Sequence, residues 1–178
     1  VYYLDMFADF QHIIDRVDQL RTEVDDHWQI PREEARLLAQ LIRVGQCRSI
    51  CEIGVSYGFS TLHLAAAAAD TDGHVHAFEK SSKKIAYAQS HLAQAGLEDR
   101  VSLHHGEAQT LVPQRSPSTG YDFVFLDAVK SECFGYLEAI QPLLNEHAVV
   151  CTDNTETHPE QLASFIEHLR AIPNGRSD

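Results

Sequence analysis

The sequence predicts an α/β fold: a parallel sheet with helices on both faces, led by two N-terminal helices. Two observations carry this. Short apolar runs recur along the chain, and a segment with helical periodicity follows each of them. Repeated strand–helix units of this kind build parallel sheets buried on both faces. The length, 178 residues, supports one domain with a substantial core, so residues 1–178 are expected to form a single unit. Residues 1–45 supply the leading helices and 46–178 the sheet-containing core.

The elements follow in order. Residues 4–26 place Leu4, Phe7, Ile13, Ile14, Val17, Leu20 and Val24 at three- and four-residue spacings, which predicts a helix. In "IPREEARLLAQLI", Pro31 suits the first position of a second helix, and Glu33 and Glu34 suit its positive end. Leu37, Leu38, Leu41 and Ile42 give that helix an apolar face. "SICEIG" is a strand and "FSTLHLAAAAA" a helix. "HVHAFE" is a strand, followed by a helix over 81–95 that ends at Gly96. "VSLHHG" is a strand with a short helix from 107. "YDFVFLD" is a strand with a helix over 132–144. "HAVVCTDN" is the fifth strand, and 159–170 is a last helix. "QRSPSTG", 114–120, is a surface loop.

Composition narrows the function classes. The net charge of −12 argues against a nucleic-acid partner, whose phosphates call for a basic footprint. Cys47, Cys51, Cys133 and Cys151 show no zinc-type spacing and suit a reduced, cytoplasmic compartment. No apolar run reaches the roughly 20 residues of a membrane span. The start, "VYYLDMFADF", lacks the basic region and apolar core of a signal peptide.

The chemistry is expected at the carboxyl ends of the strands, where open parallel sheets bind ligands. "CEIGVSYGFST" puts Gly54 and Gly58 where the first strand becomes a helix, letting the backbone turn and approach a ligand. Ser56 occupies the middle position of a dinucleotide fingerprint, which disfavours a nicotinamide-linked dehydrogenase. Glu79 ends the second strand, where a carboxylate can accept ribose hydroxyls. Gly106, Glu107 and Ala108 end the third strand and would face a base. His104 and His105 point to opposite faces and cannot share one ion. Asp127 ends the fourth strand, and Asp153 and Asn154 end the fifth, so hard oxygen ligands can converge at one rim. The alternative is that the two aspartates cap the following helices.

The order E-x-G-x-x-x-G, an acid after the second strand, D-x-x-K after the fourth and D-N after the fifth resembles the metal-dependent O-methyltransferases. These are the class I S-adenosylmethionine-dependent enzymes of the catechol and caffeoyl-coenzyme A type, and the resemblance covers residues 28–155. It implies a Rossmann-like sheet in the order 3-2-1-4-5. It implies a divalent cation, Mg²⁺ before Ca²⁺ or Mn²⁺, on Asp127, Asp153 and Asn154. It implies Lys130 as the base, and cofactor contacts from Gly54, Ser60, Glu79, Ala108 and Asp127. The implied acceptor is a hydroxylated, catechol-like small molecule, and the implied assembly is a homodimer, with the "VYYLDMF" region as a candidate contact. "WQIPREEARLL" matches a segment that closes over cofactor and metal.

The sequence also departs from that pattern. Ala35-Arg36 stand where a Gly-Gln pair is usual, Cys133 where an aromatic is common, and "TETHPEQ" where a W-x-G loop is frequent. Only residues 155–178 follow Asn154, so the last two strands of the family's sheet are expected to be missing. Two other functions stay open: methylation of a hydroxylated uridine in transfer RNA, and S-adenosylmethionine binding without turnover.

Overall fold

Five apolar runs pair side by side because turn residues bound them and each of the first four is followed by a helix that crosses back over the sheet. The computed structural model describes residues 7–153 together with Ala163, Phe165 and Glu167. Helix α1 (Gln11–Leu20) and α2 (Arg32–Gly45) come first. Then follow β1 (Ser49–Ile53), α3 (Phe59–Asp70), β2 (His74–Glu79), α4 (Ser82–Ala95) and β3 (Val101–His105). The chain continues through α5 (Ala108–Arg115), β4 (Tyr121–Leu126), α6 (Cys133–Ile140) and β5 (Leu144–Thr152). All pairings are parallel, in the order β3-β2-β1-β4-β5, as expected. The strand order reverses between β1 and β4, which opens a crevice above their carboxyl ends.

Alternation along the strands divides the core. Ile50, Val75, Ala77, Phe123 and Phe125 face one side with the side chains of α1 to α4. Cys51, Ile53, Phe78, Val124 and Leu126 face the other with α5, α6 and Phe165. Each strand therefore buries both its faces, and the strands read as apolar runs rather than alternating ones.

Local details differ from the sequence expectation. Helix α1 stops at Leu20, because the chain turns through 21–26 to bury His27 and Ile30. Residues 4–6 of that predicted helix lie outside the described residues. Pro31 is extended and precedes α2 instead of opening it. The buried stripe of α2 is Ala35, Leu38, Ala39 and Ile42, while Leu37 is 58% exposed. Small alanines hold the inward positions, and hydrophobicity alone favours the outward leucines. Pro142 lacks an N–H, so the predicted helix over 132–144 divides into α6 and a 3₁₀ turn, Gln141–Leu143. Of the last predicted helix, Ala163, Phe165 and Glu167 are helical and the rest lies outside the described residues. Among the described residues no helix is long and apolar enough to cross a membrane.

Candidate active site

The turn after β1 is built by backbone demands. Gly54 has φ +99°, Ser56 +49° and Gly58 +90°. The Gly54 N–H donates to the Phe78 carbonyl at 3.0 Å, and the Asp127 N–H donates to the Ile53 carbonyl at 2.9 Å. A Cβ on Gly54 would lie 1.9 Å from the Asp127 carbonyl oxygen. The glycine is therefore required by the neighbouring strand end. This packing demand adds to the expectation that the glycine lets the backbone approach a ligand, since Gly54 also lines the cavity described below. Gly58 performs a similar task, since a Cβ there would sit 3.1 Å from Ala88 of α4.

Beneath the turn lies Glu52, with no exposed surface. Ser60 Oγ donates to it at 2.5 Å and Thr61 Oγ1 at 2.6 Å. Burial pushes its pKa up to about 7, against the two hydroxyl hydrogen bonds. Because the folded value lies above the unfolded one, this group's contribution is fully present below about pH 4.5 and is lost as pH rises through 7. Thermal melts of wild type and Glu52→Gln between pH 4.5 and 8 should show the wild type losing stability relative to the variant as pH rises. A pH-independent difference would contradict this assignment. Ser60 thus spends its proton on Glu52, and it does not line the cavity.

A cavity of about 440 Å³ opens above the carboxyl ends of the strands. Gly54, Glu79, Ala108 and Asp127 line it, so the structure brings together four of the five residues expected to contact a cofactor. Glu79 is held by two backbone donors: Ser56 N–H to Oε2 and Ser81 N–H to Oε1, each at 2.9 Å. Each carboxylate oxygen keeps a further lone pair for a ligand hydroxyl. Ser56 also lines the cavity, and its buried Oγ has no hydrogen-bond partner among the described residues. A polar ligand at this turn would satisfy it.

Asp127 and Asp153 follow directly on the paired residues Leu126 and Thr152, so both leave the same rim of the sheet. The Asp153 N–H donates to the Leu126 carbonyl at 3.1 Å. Burial raises the Glu34 pKa, and the negative charges of Asp153 and then Asp127 raise it further. A third carboxylate, from the first turn of α2, therefore feels the field of this pair. Asn154 lies outside the described residues. Lys130 opens a 3₁₀ turn, Lys130–Glu132, just beyond β4. Among the described residues no three His, Cys, Asp or Glu side chains are placed to hold an ion. The donor set in question, two carboxylates and an amide, is nevertheless one that suits a hard cation.

His104 and His105 do diverge. A hydrogen bond of 3.3 Å joins His104 Nε2 to His76 Nδ1, and one of 3.0 Å joins His105 Nε2 to the Lys80 carbonyl. Trp28, the first residue of the segment expected to close over cofactor and metal, lines the cavity, and sequence reasoning missed several other walls: Lys80, Lys84, Val129 and Tyr136. Trp28 is 76% exposed. Its position depends on the path of 21–31, which no local pattern reveals.

Comparison with known proteins agrees with this geometry. The sequence model of the O-methyltransferase family matches residues 11–163, and the chain belongs to that family. A caffeoyl-CoA O-methyltransferase of Populus kitakamiensis is 29% identical over 129 residues, covering 71% of this chain and 54% of the relative. A catechol O-methyltransferase of Mycobacterium tuberculosis is 32% identical over 125 residues, covering 70% and 56%. The chain thus spans about half the length of these curated relatives. Among solved structures, the O-methyltransferase TomG of Streptomyces achromogenes, in complex with SAM, superposes with TM-score 0.80. It is 31% identical, and the match covers 93% of this chain and 79% of that one. The O-methyltransferase of Bacillus cereus, in complex with SAH, also gives 0.80, at 25% identity.

Proposed function

We propose that this chain carries the catalytic core of an S-adenosylmethionine-dependent, divalent-metal-dependent O-methyltransferase acting on the hydroxyl of a catechol-like small molecule. The observation that carries the reading is that the glycine turn, Glu79 and Asp127 line one cavity, with Asp153 on the adjacent strand end.

Glu79, fixed by two backbone N–H groups, receives the ribose hydroxyls. The backbone at Gly54 and the Ser56 hydroxyl meet the amino-acid end of the cofactor. Ala108 borders the adenine, and Ser60 acts through Glu52, which anchors the first turn of α3. Asp127, Asp153 and Asn154 would hold the cation, Mg²⁺ in the first instance, which supplies electrostatic stabilisation of a deprotonated acceptor oxygen. A phenolic hydroxyl, with a pKa near 10, is almost wholly protonated at neutral pH. Lys130 takes that proton. The acceptor oxygen then forms a bond to the sulfonium methyl as the carbon–sulfur bond breaks, leaving an aryl methyl ether and S-adenosylhomocysteine.

Incubation with S-adenosylmethionine, Mg²⁺ and a dihydroxybenzoate should yield the monomethyl ether and S-adenosylhomocysteine. A protein that binds S-adenosylhomocysteine yet methylates no catechol would contradict the reading. Methylation of transfer RNA instead would move the acceptor class. The charge of −12 opposes that outcome. Glu79→Ala should weaken S-adenosylhomocysteine by about tenfold to a hundredfold, as expected for charge-assisted hydrogen bonds of about 1.5–3 kcal/mol. Unchanged affinity in a calorimetric titration would remove Glu79 from the site.

A further inference from the structure

We propose that Lys80 is a positioning residue that ties three strand ends into one pocket, so that the loop carrying Glu79 and the turn carrying Lys130 hold a fixed relation. The inference rests on the function proposed above.

The observation is a network that spans the cavity wall. Lys80 Nζ lies 2.8 Å from Glu107 Oε2 and 2.7 Å from Glu132 Oε2. The Tyr136 hydroxyl donates to the same Glu132 oxygen at 2.6 Å. Lys80 follows Glu79 at the end of β2. Glu107 lies between Gly106 and Ala108, at the start of α5. Glu132 closes the Lys130–Glu132 turn after β4. One ammonium therefore joins the loops that leave β2, β3 and β4.

An isolated exposed ion pair would contribute little. This group differs in two respects. Lys80 and Tyr136 both line the cavity, and Tyr136 is only 1% exposed, so one end of the network is fixed in the core. The ammonium also bridges two carboxylates, so neither loop can move away without breaking a charge-assisted hydrogen bond. A ligand on Glu79 then meets a pocket whose far wall is held relative to the Lys130 turn. Preorganisation of this kind affects affinity and turnover more than global stability.

The test is calorimetric titration with S-adenosylhomocysteine alongside steady-state kinetics, on variants whose cooperative melting has been checked. Lys80→Met should weaken binding about fivefold, and Lys80→Arg should restore it to within about twofold. Glu132→Gln should leave affinity within about twofold while lowering kcat about fivefold, because that arm holds the Lys130 turn. Tyr136→Phe, which removes one hydroxyl, should act like Glu132→Gln to a smaller degree and serves if a charge variant fails to fold. Wild-type affinity in Lys80→Met would overturn the proposal, as would wild-type kcat in both Glu132→Gln and Tyr136→Phe. If the unmodified protein binds S-adenosylhomocysteine but methylates no acceptor, the proposed function fails. The affinities of Lys80→Met and Lys80→Arg then decide the role of Lys80 alone.

Discussion

Lys130→Ala is expected to lower kcat by about 10²–10⁴-fold, the range of a lost general base. The proposed acceptor is a weakly acidic hydroxyl. Its oxygen is a poor nucleophile while it carries a proton, and a lysine next to a bound cation has a lowered pKa that lets it accept one. Lys130 stands three residues past Asp127, on the short turn that follows β4. S-adenosylhomocysteine affinity should be unchanged, because the proposed cofactor contacts lie in the turn after β1 and at Glu79. Metal content, measured by elemental analysis, should also persist. A Lys130→Ala protein that turns over at the wild-type rate would return this residue to the solvated surface.

The second large effect is expected at Asp153. Asp153→Ala should lose bound metal and methyl transfer together, while S-adenosylhomocysteine still binds. The separation follows from the architecture. Asp153 follows β5 at the sheet edge, whereas Glu79 ends β2 and the glycine turn follows β1. Asp127 should behave less simply. It lines the cavity and is also a proposed cation ligand, so losing its side chain is expected to disturb the proposed cofactor and metal sites alike. An Asp153→Ala variant with full metal content and full activity would favour the alternative that the two aspartates cap the following helices.

What was legible in the sequence, and what was not, follows from the range of the forces involved. The five strands came through because burial on both faces imposes apolar runs, and because each run ends in turn residues, whereas their order in the sheet was implied by the family resemblance. Glu79, Ala108 and Asp127 were legible because each ends or closely follows a strand, and parallel topology places all strand ends on one rim. Gly54 was found for an incomplete reason: its φ of +99° was foreseeable, but its contact with the Asp127 carbonyl depends on which strand lies beside β1. Ser60 shows the same limit, since its bond to Glu52 forms across a strand–helix packing rather than along the chain. The Lys80 network was not legible, because its partners are 27 and 52 residues away in sequence and meet only through the fold. On α2, Glu34 read as a dipole partner alone, and the field of Asp127 and Asp153 became visible only in three dimensions.

The central claim is that the acids at the ends of β4 and β5 serve methyl transfer through a divalent cation. The most direct measurement is turnover of a catechol by protein stripped with EDTA, verified metal-free by elemental analysis, and then resupplied with Mg²⁺. The account predicts no methyl ether from the stripped protein, retained binding of S-adenosylhomocysteine, and recovery of activity on adding Mg²⁺ or Mn²⁺. Full activity in the verified absence of metal would contradict it.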